Sequence, residues 1–125
     1  MSSFSAYTFQ RGKGQLASAW INFDGRGGGS LKSIRDSFNI NSVTDLGKGV
    51  YRITFAVAMS NNSYSVQGCC SQHVGADGVS VVSDVATVTV KSVTTTYFEI
   101  STASVTASSV AKFDPEFVTL AIFGD

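Results

Sequence analysis

Charge is scarce in this chain. Lys and Arg together number 9 and Asp and Glu 9 among 125 residues, or 14%, against a usual share of roughly 25%. The formal net charge is zero, so no basic footprint for nucleic acid or an anionic membrane surface is present. Proline occurs once and histidine once. A Ser-His-Asp triad would have to use His73, and no Gly-x-Ser-x-Gly elbow is present. The acidic residues are scattered, with no close pair of the kind glycosidases use visible from spacing. No catalytic residue is therefore assigned. No apolar run approaches the roughly 20 residues that span a bilayer, and the start, Met1 to Tyr7, lacks the basic and apolar regions of a signal peptide. The two cysteines, Cys69 and Cys70, are adjacent. A disulfide across one peptide unit is badly strained, so two reduced thiols on alternate strand faces are expected, in keeping with synthesis in a reducing cytosol.

What the chain does hold is β-branched. Valine occurs 15 times and isoleucine 6, against 4 leucines, and serine plus threonine fill 30 positions. That balance predicts an all-β domain. The segment Ser37–Met59 is the most informative: an alternating run, a turn marked by Asp45, Gly47 and Gly49, then a second alternating run. Tyr51, Ile53, Phe55 and Val57 fall on one side of it, and Arg52, Thr54 and Ala56 on the other, which reads as an antiparallel hairpin with one apolar face. Further strands are expected at Leu16–Phe23, Tyr64–Cys70, Val79–Val82, Asp84–Val93, Thr95–Ile100 and Phe117–Phe123, with a short one at Tyr7–Phe9. Leu31–Arg35 reads as one turn or a short strand, and Ser101–Val110 as a loop or a weak strand. Spacing of this kind, without helical period, predicts an antiparallel β-sandwich or small jelly-roll over residues 16–125, behind a lead-in segment 1–15. Tyr51, Ile53, Phe55 and Val57 should form the core or a subunit contact, together with Trp20, Phe23, Val118, Leu120 and Ile122. Low charge with 43% hydrophobic content suggests that much surface is covered by another subunit.

The patterns Ala19-Trp-Ile-Asn-Phe-Asp-Gly25, Ile34-Arg35, Ser37-Phe-Asn-Ile40, Ser42-Val-Thr-Asp-x-Gly-x-Gly-x-Tyr51-x-Ile-x-Phe55-x-x-Ala58-Met59 and Val118-x-x-Ala121-Ile-Phe-Gly124 together resemble a known module. They are similar to the C-terminal module of tail-fibre and related virion proteins of tailed bacteriophages. The likeness runs from about Leu16 to Asp125 and is most specific in its front half. It implies a viral structural protein, made in the host bacterial cytoplasm and located in the virion. It also implies a homotrimer that contacts other virion proteins and takes part in host attachment by binding a bacterial surface glycan or outer-membrane protein. A fibre protein carries a docking part and a shaft before this module, whereas only residues 1–15 precede it here. The chain is thus expected to be either a stand-alone module or part of a longer protein. The alternatives are a capsid or tail decoration subunit with no host ligand, and a depolymerase that cuts surface polysaccharide.

Recognition of a sugar calls for exposed aromatics with amide or hydroxyl groups on loops. Asn61, Asn62, Tyr64, Gln72, His73 and Tyr97 are residues of that type and stand as the receptor-binding candidates. Trp20, between Ala19 and Ile21, is better suited to a core or interface. The glycine run from Gly25 to Gly29 lacks a Gly-Lys-Ser/Thr ending and a following helix, so it reads as a hairpin tip, not a phosphate loop. His73 is expected on an exposed polar loop. With Asp77, Cys69 and Cys70 it offers a poor zinc set, because adjacent cysteines rarely share one ion. A threefold axis that multiplied His73 is the remaining route to a metal. No metal and no cofactor is assigned.

Overall fold

The computed structural model describes residues 16–27, 29–75 and 80–124. The expected Tyr7–Phe9 strand lies outside the described residues. Among the described residues eleven strands occur in order: β1 (Ala19–Asp24), β2 (Ser33–Phe38), β3 (Ile40–Gly47), β4 (Val50–Phe55), β5 (Ser65–Cys70), β6 (His73–Val74), β7 (Val81–Ser83), β8 (Ala86–Val93), β9 (Tyr97–Val105), β10 (Val110–Lys112) and β11 (Val118–Phe123). No helix occurs among the described residues. The chain is all-β and its strand pairs are antiparallel.

One sheet has the order β2-β1-β11-β5. In the other, β4 lies between β3 and β9, and β8 flanks the far side of β9. Beyond the first residue of β4, β10 takes over as partner of β9 through Ala103–Val105. A small hairpin, β6-β7, stands apart. The sheets face each other across one core. Ala19, Ile21, Phe23, Val118, Leu120 and Ile122 come from the first sheet; Val43, Tyr51, Ile53, Phe55, Phe98 and Ile100 come from the second. Alternation explains the selection, since every second residue of β1, β4, β9 and β11 is buried. Each buried Val, Leu, Ile or Phe among them contributes about 1.5–3 kcal/mol by leaving water.

The predicted hairpin is β3-β4, with Asp45 opposite Tyr51 and Gly47 opposite Val50. Asp45 accepts the Gly47 amide at 2.8 Å, a side-chain bond that bends the backbone at this point. Gly49 follows at φ 67°, and a Cβ there would lie 2.8 Å from the carbonyls of Phe113 and Thr102. Only glycine fits.

Several expectations are corrected. The first strand begins at Ala19, not Leu16. Trp20 leaves the protomer core: it is 38% exposed on the outer face, because the buried parity of β1 belongs to Ala19, Ile21 and Phe23. Val57 is 70% exposed, since β4 ends at Phe55 and the backbone turns to bond with Asn39. Leu31–Arg35 splits into a bridge at Leu31 with Thr44 and the start of β2. Ser101–Val105 continues β9, with Thr102 and Ser104 holding its buried parity.

Candidate functional site

Antiparallel strands bring alternate connections to the same end. Four segments meet beyond the ends of β1, β3 and β5 and the start of β11: residues 25–27, 48–49, 71–75 and 113–117. Their backbones are laced together. The Gly25 amide donates to the Pro115 carbonyl at 2.9 Å and the Ser71 amide to Phe117 at 2.9 Å. The Phe117 amide donates back to Ser71 Oγ at 3.0 Å. Asp114 Oδ1 accepts the Gly49 amide at 2.8 Å and the Tyr51 hydroxyl at 3.0 Å, and that hydroxyl also lies 3.0 Å from the Gly25 carbonyl. Burial, and next the nearby Asp114 charge, push the Tyr51 phenol well above its ordinary value, so it stays a neutral donor.

Between these segments lies a cleft of about 700 Å³, walled by Arg26, Lys48, Ser71, Gln72, His73, Val74, Gly75, Phe113, Asp114, Glu116 and Phe117. The His73 ring stacks on Phe113, with centroids 4.4 Å apart and planes at 21°. Its Nδ1 is 2.8 Å from Ser104 Oγ, a hydroxyl buried on β9. Arg26 binds Asp24 through Nε at 3.1 Å and Nη2 at 3.0 Å. That hydrogen bond, opposed by burial, holds the Asp24 carboxyl below its usual value. Arg35 lies over the Phe117 ring at 4.0 Å and donates to the Glu116 carbonyl at 2.7 Å. Aromatic faces, an amide, two carboxylates and a lysine therefore share one concave wall, which is a combination suited to small polar ligands.

The receptor candidates read from sequence are divided between regions. Gln72 and His73 reach the cleft. His73 is half-buried in β6 and not on an exposed loop, because its ring completes a stack with Phe113. Asn61 and Asn62 are exposed at the opposite end, between β4 and β5. Tyr64 is 8% exposed, with its ring against Phe55 and Phe98 and its hydroxyl donating to the Thr94 carbonyl at 2.8 Å. It belongs to the core, and burial raises its phenol to about 12. Tyr97 lies on the outer face of the second sheet under Arg52, which is 4.1 Å from its ring and bonds Glu99 at 2.6 Å. Arg26, Lys48, Phe113, Asp114, Glu116 and Phe117 were missed. Strand parity was a partial signal: counting alternate connections places the turns after β1, β3 and β5 at one end, but Phe113–Phe117 is the tenth connection and is brought there by its bonds to Gly25 and Gly49.

Cys69 and Cys70 are free thiols. Burial, with the neighbouring Cys69, raises the Cys70 thiol to about 11. Among the described residues, no three His, Cys, Asp or Glu side chains are grouped to hold a metal; Asp77 lies outside the described residues. Compared with family models, curated proteins and solved structures, the chain matches none.

Proposed function

We propose that this chain is a β-sandwich module of a tailed-bacteriophage virion, assembled as a homotrimer and acting in host-surface adhesion through its loop-end cleft. The cleft is the observation that carries the reading. It joins the exposed Phe117 ring and the half-buried His73, backed by the buried Phe113, to Gln72, Lys48, Asp114 and Glu116, groups that can grip a surface glycan or an exposed protein loop. The segments that carry them are fastened to one another by hydrogen bonds, which lowers the order lost on binding. Three copies would turn weak single contacts into an avid one, by about 10²–10⁴.

Surface apolar residues support the assembled state. Leu31, Phe38, Leu46, Val57, Val85 and Val110 are all exposed on the protomer, and a specific contact needs to cover roughly 800 Å² per partner. The same residues suit a decoration subunit that packs into a virion without a host ligand. Fluorescent protein applied to intact bacterial cells separates the readings: saturable binding supports adhesion, while firm incorporation into virions without cell binding supports decoration. Release of reducing ends from host polysaccharide would mark a depolymerase instead. Light scattering tests the trimer, and a stable monomer at micromolar concentration contradicts it.

A further inference from the structure

We propose that the cleft takes an uncharged, hydroxyl-rich ligand, the neutral residues of an oligosaccharide, in preference to an anionic one; this rests on the adhesion reading above. The argument is one of groups already committed and groups still free. Two cations, Arg26 and Lys48, and two carboxylates, Asp114 and Glu116, line the wall. Arg26 is clamped on Asp24 by two hydrogen bonds and reaches Glu116 at 3.7 Å. Arg35, behind Phe117, is occupied by Asn22, the Glu116 carbonyl and Asp24. Lys48 is left as the one cation in the wall without a carboxylate partner among the described residues.

An anionic ligand would meet that single free ammonium beside the Asp114 carboxylate, while Arg26 and Glu116 already pair with each other at 3.7 Å, so the two cations and two carboxylates of the wall balance and offer an anion no net attraction. A hydroxyl both donates and accepts. It can therefore use the unbonded Oδ2 of Asp114, the Glu116 carboxylate, either end of the Gln72 amide and the Lys48 ammonium without any charge being left uncompensated. The exposed face of Phe117, 43% accessible, offers an apolar plane for the C–H face of a sugar ring. Phe117 is held in place from behind by the Arg35 guanidinium.

Calorimetric titration of the full chain tests this. The probes are maltotriose, a galactose trisaccharide and chitotriose as neutral ligands, against trigalacturonate and sialyllactose as acidic ones. At least one neutral trisaccharide should bind. Its affinity should change less than about twofold between about 50 mM and 500 mM salt, over which screening shortens roughly threefold. Phe117→Ala and Gln72→Ala should each weaken binding about tenfold with the melting temperature kept. Lys48→Met should weaken the neutral ligand by no more than Gln72→Ala does, since it removes one hydrogen-bond donor among several. Asp114→Asn is avoided because Asp114 also holds the Gly49 turn. Preference for an acidic trisaccharide, with steep salt dependence and loss in Lys48→Met, overturns the neutral assignment while adhesion stands. Cells bound with no trisaccharide bound at millimolar concentration also overturns it, and turns adhesion toward a protein receptor. Failure to bind cells as well removes the adhesion reading itself.

Discussion

The two ends of the paired sheets are closed by opposite means. At one end Tyr64 folds over Phe55 and Phe98, and its hydroxyl bonds the Thr94 carbonyl. Asn39, at φ 56°, ties the Val57 amide and the Ser18 and Val57 carbonyls at 2.7, 3.3 and 3.2 Å. Aromatic packing seals that end, and the Tyr64 hydroxyl and the Asn39 amide are used internally, with Asn61 and Asn62 left exposed on the connection above them. At the other end the buried aromatic is Tyr51, edge-on to Phe23 at 5.2 Å, and its hydroxyl holds loops together without covering them. A cleft stays open above it. Among the described residues, sealing with a ring leaves no cleft at that end, whereas fastening loops by a single buried hydroxyl keeps their polar atoms available around one.

The largest expected effect strikes the sealed end. Phe98→Ala removes a fully buried ring that touches Phe55 and Tyr64, and should cost about 3–5 kcal/mol in denaturant unfolding. A cost under about 1 kcal/mol would mean that the ring does not close this end. Next comes the tyrosine pair. Tyr51→Phe leaves Asp114 Oδ1 and the Gly25 carbonyl without their shared donor, and should cost about 1–3 kcal/mol. It should also raise amide exchange across residues 113–117. Tyr64→Phe removes a bond to the Thr94 carbonyl at the sealed end; it should cost about 1 kcal/mol and leave exchange at 113–117 unchanged. Equal effects of both variants on the cleft loops would erase the distinction between the ends.

Acid acts more weakly. Asp24 is held below the ordinary carboxylate value chiefly by the Arg26 hydrogen bond. Asp45 is lowered too, burial being outweighed by the Gly47 amide and Lys32. A depressed carboxyl stabilises the fold fully above its unfolded value, and that contribution is lost as pH falls through the folded value. Melting temperature should therefore be flat from neutrality to about pH 5 and fall below about pH 4. Because Asp24 and Asp45 both belong to the cleft end, its amides should lose exchange protection first. Loss beginning at the sealed end would contradict this.

Much of the fold was legible because hydrophobic residues alternate wherever a strand faces the core. The Tyr51, Ile53, Phe55 row and the Val118, Leu120, Ile122 row were read from that pattern and are buried. β9 was cut short at Ile100 because its inward positions then become Thr102 and Ser104. These two are satisfied by the Phe113 carbonyl and by His73, partners more than ten residues away or on another strand. Trp20 was read as core or subunit contact from its place between Ala19 and Ile21, and the parity of β1 puts it on the outer face. The cleft was only half legible. Gln72 and His73 were chosen by residue type, but Asp114 and Phe117 sat in what read as an ordinary turn around Pro115. What makes them a site is tertiary: Gly49 and Tyr51 fix Asp114, and Arg35 fixes Phe117.

The most direct test compares the two ends in one binding experiment. Fluorescent protein carrying Phe117→Ala with Gln72→Ala should lose saturable binding to bacterial cells, while Asn61→Ala with Asn62→Ala should bind as the unaltered chain does. Undiminished binding by the cleft variant, or loss only in the Asn61 and Asn62 variant, would contradict the assignment of adhesion to this cleft.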